Sequence, residues 1–350
     1  MDDDTLLKQP APTGLKPTLV RAVQLNSSKT LAKVTAARAL VKRLADSDQT
    51  DAKWLAAALA RCDADQVATV MLSQRKALQG SRAADRAARR CFAEGVRLPD
   101  AAAAAIKLWD KPKASRYHWR DLMDQLADPL LEALGRQPAL VDALLEDFEL
   151  SMMLVSEEAG SYDTEYIKAC YRLEMCSRWL ALGGQRRAAV AMAGVLRDSR
   201  SDAKACACVW YRNARDAAVN AVGALGVPEL VPSLVLEVLS IHHEAQDIRG
   251  GVLGLRAARE PAAVLPVLHW LSLDKVHRGA AMQVLLKLEG PERLDLMAAL
   301  APKAGKFKQR FEQVLQKAGH VPGPEVERWS GEPKRPDPEV WADREQLGSG

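Results

Sequence analysis

Apolar residues recur every three to four positions along most of this chain. Between Ser28 and Leu44 they stand at Leu31, Val34, Ala37, Leu40, Val41 and Leu44, the 3.6-residue period of a helix with one buried face. Similar runs predict helices over 16–25, 50–61, 64–78, 82–94, 99–109, 122–134, 138–154, 164–182 and 185–197. Ser27 or Ser28 is placed to accept from free N–H groups at the start of the 28–44 run. Pro99 and Asp100 suit a first helical turn. Strand-like runs of Val, Ile, Thr and Tyr are missing, so no sheet is predicted. Two segments lack the period. Residues 1–12 are polar, contain Pro10 and Pro12, and are expected to be disordered. From His320 onward Pro322, Pro324, Pro333, Pro336 and Pro338 crowd together. Proline removes a backbone donor and is excluded from helix interiors, so this tail is expected to be extended or disordered.

Towards the C-terminus the pattern repeats itself. Arg215-Asp-Ala-Ala, Arg249-Gly-Gly-Val and Arg278-Gly-Ala-Ala each open an amphipathic run, and the arginines lie 34 and 29 residues apart. The runs end at Leu225, Ala258 and Leu288, each closely followed by a proline, Pro228, Pro261 or Pro291. A period near 30 residues marks stacked supersecondary units, because a lone helix pair cannot bury its apolar face. Two pairs can be written out: 228–240 with 248–258, and 261–273 with 276–288. Asp247 and Asp274 precede the second helices, where a carboxylate meets unpaired N–H groups and the positive dipole end. Ala217, Gly251 and Ala280 share a position that demands close helix approach. Ala221, Leu255 and Val284 share a core position. Arg256 is the exception, since it falls where Val222 and Leu285 are apolar.

A proline opening the first helix, an Asp in the turn and an Arg-x-x-Ala-like start to the second resemble the HEAT and HEAT-like repeats of bacteria, most clearly over 202–319. The resemblance implies an all-α, right-handed α-solenoid of helical hairpins. It implies a ladder of inter-repeat bonds in which Asp247, Arg249, Asp274 and Arg278 could take part. It also implies that second helices line a concave surface, with Asn220, Arg256, Gln283 and Lys287 facing a partner. The domains expected are a disordered 1–12, an N-terminal helical half over 13–160, the repeats over 161–319, and a flexible tail over 320–350. The polar stretch from Glu157 to Asp163 marks the expected division.

Composition agrees with close helix packing: 48% of residues are apolar but only 5% aromatic, and alanine and leucine are strong helix formers. The net charge of +4, from 49 basic and 45 acidic residues, gives little support to nucleic-acid binding. Two basic stripes remain candidates for it: Arg82, Arg86, Arg89 and Arg90, and Lys303, Lys306, Lys308 and Arg310. HEAT-like alkylpurine DNA glycosylases hold a duplex with this architecture. A solvated helix face and a polar cap ending the array are the ordinary readings of the two stripes.

No Walker loop, Gly-x-Ser-x-Gly, His-Glu-x-x-His or dinucleotide fingerprint occurs, so no catalytic residue, cofactor or metal is assigned. Cys206 and Cys208 with Cys170 and Cys176 lack zinc spacing and read as buried apolar-like thiols. His242 and His243 read as a helix C-terminus. The acidic start Met1-Asp-Asp-Asp is unlike a signal peptide, and no apolar run reaches the ~18 residues of a membrane span. A cytoplasmic location with reduced thiols is expected. Trp329 and Trp341 stand in the proline-rich tail, where an indole calls for a docking site, on the chain's own solenoid or on a partner. The function expected is therefore non-catalytic protein binding, as an adaptor, scaffold or regulatory subunit of a bacterial assembly. It would act along the repeat surface and through the two tail tryptophans. Nucleic-acid binding, as in base repair, is the alternative, and a HEAT-like lyase the third reading.

Overall fold

The computed structural model describes residues 2–111, 115, 117–157, 163–201, 209–240 and 248–347. The chain is 75% helical, and no strand occurs among the described residues. In order the helices are α1 (Asp3–Leu7), α2 (Pro17–Gln24), α3 (Ser28–Leu31), α4 (Val34–Ala45), α5 (Gln49–Leu59), α6 (Ala64–Ser73), α7 (Arg75–Leu78), α8 (Arg82–Cys91), α9 (Pro99–Trp109), α10 (His118–Asp124), α11 (Asp128–Leu134), α12 (Pro138–Glu157) and α13 (Thr164–Leu182). Then come α14 (Arg186–Ser201), α15 (Val209–Leu225), α16 (Val231–Leu239), α17 (Arg249–Gly254), α18 (Pro261–Leu271), α19 (Arg278–Lys287), α20 (Glu292–Leu300), α21 (Lys308–Lys317), α22 (Pro324–Ser330) and α23 (Pro338–Leu347). They gather into two compact units. One holds Met1–Leu154 and Tyr162–Gln185, the other Val155–Ser161 and Arg186–Gly350.

In the first unit α4, α6 and α9 pack in succession, and α5, α8, α11 and α13 do the same. Alanines make the approach possible: Ala56, Ala57 and Ala58 of α5 and Ala87 and Ala88 of α8 are fully buried. Gly135 and Gly183, which end α11 and α13, touch backbone to backbone, and a Cβ on either would strike the other. The large side chains gather at Trp109, whose ring centroid lies 5.7 Å from that of Trp179 and 6.4 Å from that of Trp119. Each indole N–H finds an acceptor. Trp109 donates to Asp147 at 2.9 Å, Trp119 to the Trp109 carbonyl at 3.2 Å and Trp179 to the Leu131 carbonyl at 3.0 Å. Arg172 pairs with Asp147 at 3.1 Å and lies 4.6 Å over the Trp119 ring. With its indoles and its carboxylate engaged in this way, the network reads as a structural anchor.

The N-terminal segment differs from the expected disorder. Asp2 caps α1 by accepting from the Thr5 N–H at 2.8 Å, and Leu6 and Leu7 are buried against neighbouring helices. Asp3 and Asp4 pair with Arg90 and Arg61. Two apolar side chains and two ion pairs hold a segment whose composition alone suggested a free end. The run expected over 122–134 is two helices, because Pro129 stands in the first turn of α11 and cannot continue α10.

In the second unit the helices form two rows. α15, α17, α19 and α21 pack one on the next, α16, α18 and α20 form a second row, and each row contacts the other within a hairpin. The closest approach is between α15 and α17, where Gly223 meets Gly250, Gly251 and Gly254, and a Cβ at Gly223 would strike the Gly250 carbonyl. Gly251, Ala280, Ala221, Leu255 and Val284 are buried, while Ala217, at the same repeat position as Gly251 and Ala280, is only half-buried. Arg256 departs from its repeat register for a local reason. α17 stops at Gly254 and tightens into a 3-10 turn over Leu255–Ala257, which carries Arg256 out to solvent.

Candidate functional site

The tail beyond His320 was expected to be extended or disordered; two of its stretches are helices instead. Pro324 and Pro338 begin α22 and α23. Proline is favoured at a first helical position, where its missing N–H would be unpaired anyway. The other prolines fall outside the helices, Pro333 and Pro336 in the link between α22 and α23. α22 lies on α20 and α23 on α16, so both tail helices cover the layer of first helices.

Trp341 of α23 is only 5% exposed. It sits at a groove of about 510 Å³ whose apolar wall is Pro228, Val231, Pro232, Ala258, Ala263 and Val264. Polar contacts ring it. Arg344 pairs with Glu260 at 3.3 Å and lies 5.1 Å from the Trp341 ring centroid. The Ser233 hydroxyl donates to Glu345 at 2.5 Å, and Arg335 donates to the Leu239 carbonyl. Glu229 pairs with Arg259 at the rim. Its carboxyl is held below the usual range by its own backbone N–H and by that guanidinium. A buried aromatic with a polar rim is the anatomy of a helix docked in a groove.

Trp329 of α22 is half-buried and meets His269 edge-on, with centroids 5.3 Å apart. Burial, and then the nearby Lys303 ammonium, lower the His269 pKa, while a hydrogen bond with the Trp329 backbone opposes them. Both tail tryptophans are thus engaged by their own chain.

The other sequence candidates are placed as follows. Asn220 is half-buried, and its Oδ1 accepts from the Gly250 N–H at 2.6 Å and the Gly251 N–H at 3.2 Å. It caps α17 from α15 and ties the two helices together. Arg256 and Lys287 are exposed, and Gln283 is half-buried. The expected Asp–Arg ladder is not built among the described residues. Asp274 instead accepts from the Val276 and His277 N–H groups at 2.7 and 2.9 Å and pairs with His277. Arg249 and Arg278 enter no ion pair among those residues, and Asp247 lies outside them, as do Cys206, Cys208, His242 and His243.

Of the first basic stripe, Arg82, Arg86 and Arg89 are exposed while Arg90 holds Asp3. Of the second, Lys303, Lys306, Lys308 and Arg310 are exposed, and Lys308 faces Glu312 at 3.9 Å. Lys306 lines a cleft together with Arg249, Lys275, Arg278 and Gln283. The structure therefore brings together residues that the sequence had assigned to three separate roles.

Sequence reasoning missed the buried pair between Arg215 and Glu237. The Arg215 Nε donates to Glu237 Oε2 at 2.8 Å, and its Nη2 donates to the Ser240 hydroxyl at 2.9 Å. The signal was present, since Glu237 is the lone charge in the apolar run Val231–Leu239. Among the described residues no group of three or more His, Cys, Asp or Glu is placed to hold a metal ion, and no helix is long and apolar enough to cross a membrane. Comparison with protein-family models, with curated proteins and with solved structures gives no match. What stands is an all-helical fold compatible with a helical repeat.

Proposed function

We propose that this chain is a non-catalytic protein-binding module of the HEAT-like solenoid kind, an adaptor or regulatory subunit. In this reading its groove on α16 and α18 takes up a tryptophan-bearing helix of another protein. The observation that carries the reading is Trp341. One short helix is held by a single buried indole and a few rim contacts, which is how amphipathic peptides dock in helical grooves. The chain's own α23 packs on α16 and forms one side of this groove in cis, so a partner helix that displaces it competes at the high effective concentration that a tether confers.

The test uses full-length protein and Trp341→Ala as baits in host lysate, with mass spectrometry of what is retained. Uncovering the groove should raise the recovery of a protein partner, and a synthetic peptide of residues 332–347 should release it. Recovery of nucleic acid alone, lost on nuclease treatment, overturns the reading.

A further inference from the structure

The arginine that opens each repeat has two different fates. Arg215 is buried against Glu237, 22 residues further on. Counting the same 22 residues from Arg249 and Arg278 reaches Leu271 and Leu300, which carry no charge and are buried. The repeat thus keeps its arginine and loses its carboxylate, and the two guanidinium groups go elsewhere. They line one cleft of about 430 Å³ together with Lys275 from the turn before α19 and Lys306 from the turn before α21. Among the described residues no Asp or Glu lines this cleft. None of the four cations forms an ion pair among those residues, and the neighbouring Asp274 is committed to the N-terminus of α19.

Gln283 repeats the logic with an amide. It stands five residues after Arg278, as Asn220 stands five after Arg215. Asn220 caps the next helix of the row, whereas Gln283 borders the cleft and makes no side-chain hydrogen bond among the described residues. Four cations around one concavity focus a positive potential. Two guanidinium forks and two ammonium groups suit phosphate oxygens, which Arg can bind bidentately. The volume lies in the range of small-ligand sites, about 300–1,000 Å³.

We propose that this cleft, formed by Arg249, Lys275, Arg278, Gln283 and Lys306, binds a compact ligand carrying a chain of phosphates, of the size of tripolyphosphate or a nucleoside triphosphate. Convergence on one concavity favours such a ligand over a nucleic-acid backbone, which needs cations spread along a line. The phosphate chain is the part recognised. The one aromatic ring in the lining, Phe307, is only 6% exposed and offers no face for a base. The site shares no residue with the Trp341 groove and does not rest on it.

The test is calorimetric titration of the full chain with tripolyphosphate at fixed ionic strength. Saturable binding is expected, weaker by at least about tenfold for inorganic phosphate and for the variant Lys275→Gln/Arg278→Gln. ATP should bind no more tightly than tripolyphosphate. Arg82→Gln/Arg86→Gln, in the other unit, should bind as the wild type does, and thermal melts of the unliganded variants should match it, showing that both are folded. The proposal is overturned if tripolyphosphate does not bind, or if its affinity is unchanged in Lys275→Gln/Arg278→Gln. ATP binding where tripolyphosphate does not would also overturn it. So would a DNA duplex that binds and is not displaced by tripolyphosphate, because the surface then reads an extended backbone.

Discussion

Arg215 and Glu237 form the most deeply buried ion pair described in the chain, with side-chain exposures of 9% and 1%. Such a pair repays its desolvation only while both partners are present. Arg215→Met should therefore destabilise the protein by ~3–5 kcal/mol, because it strands a buried carboxylate, while Arg215→Met/Glu237→Leu should come back close to wild type. Urea denaturation of the two variants checks this. A double variant as unstable as the single one would mean that the pair is needed for more than mutual neutralisation.

A second residue-scale expectation concerns thiols. Burial pushes both Cys62 and Cys91 up to about 12, with Asp63 adding to the first and Cys62 to the second. An unfolded thiol ionises near ~8.5. The folded state therefore holds these protons longer than the unfolded state does. Their stabilising contribution is complete below the unfolded value and is lost as pH climbs towards about 12. Melting temperatures of wild type and Cys62→Ala/Cys91→Ala should diverge from one another above pH ~8.5, with the wild type falling more steeply. Iodoacetamide at neutral pH should leave both thiols unmodified in the folded protein.

At the scale of elements, α23 is held by one indole. Replacing a buried tryptophan by alanine removes ~3–5 kcal/mol of packing, but the loss felt by the fold is capped by what it takes to lift α23 alone. Trp341→Ala should therefore release the helix while the array stays folded. Proteolysis in the link over Gly331–Asp337 should quicken by about tenfold or more, and the far-UV spectrum should lose only a few residues of helix. Uniform proteolysis throughout the unit would show instead that α23 is integral to it.

α22 should respond to pH. Burial and Lys303 lower the His269 pKa more than the Trp329 backbone hydrogen bond raises it, so the buried arrangement favours neutral imidazole and should weaken as pH falls from the ordinary value of about 6.5 through the lowered one. Trp329 emission should shift to the red on that descent, and His269→Gln should abolish the shift.

These tail contacts were hidden from the sequence for a physical reason. Pro324 and Pro338 counted as helix breakers, yet proline is welcome at a first position. The groove for Trp341 is built by residues near Ser233, 112 positions before Glu345. The helices themselves were legible because the apolar period is local, as with Pro99–Trp109 and Thr164–Leu182. The basic cleft was half legible. Arg249 and Arg278 stood out as repeat marks, but their meeting with Lys306 depends on how three successive elements stack.

At the scale of the whole molecule, stability in the second unit should pass between neighbouring helices. There α15, α17, α19 and α21 touch in succession, and α16, α18 and α20 each touch a partner in that row, so a local fault should spread along the row and fade with distance. The chain divides into two compact units, and the residues that hold each one are separate. The first has Trp109, Trp119 and Trp179 with Asp147 and Arg172; the second has Arg215 with Glu237 and the glycine contact at Gly223. Gly223→Ala forces α15 and α17 apart, because the new methyl meets the Gly250 carbonyl, and backbone cannot rotate away as a side chain can. Amide exchange followed by mass spectrometry reads the consequence peptide by peptide. Protection should fall in α15, α16 and α17 and, by a smaller amount, in α19. Amides of α4, α5, α8 and α9 should exchange as in the wild type. That gradient is what nearest-neighbour stacking requires. If α4–α9 instead lose protection as much as α17 does, the chain unfolds as a single block, and the two units are not independent carriers of its stability.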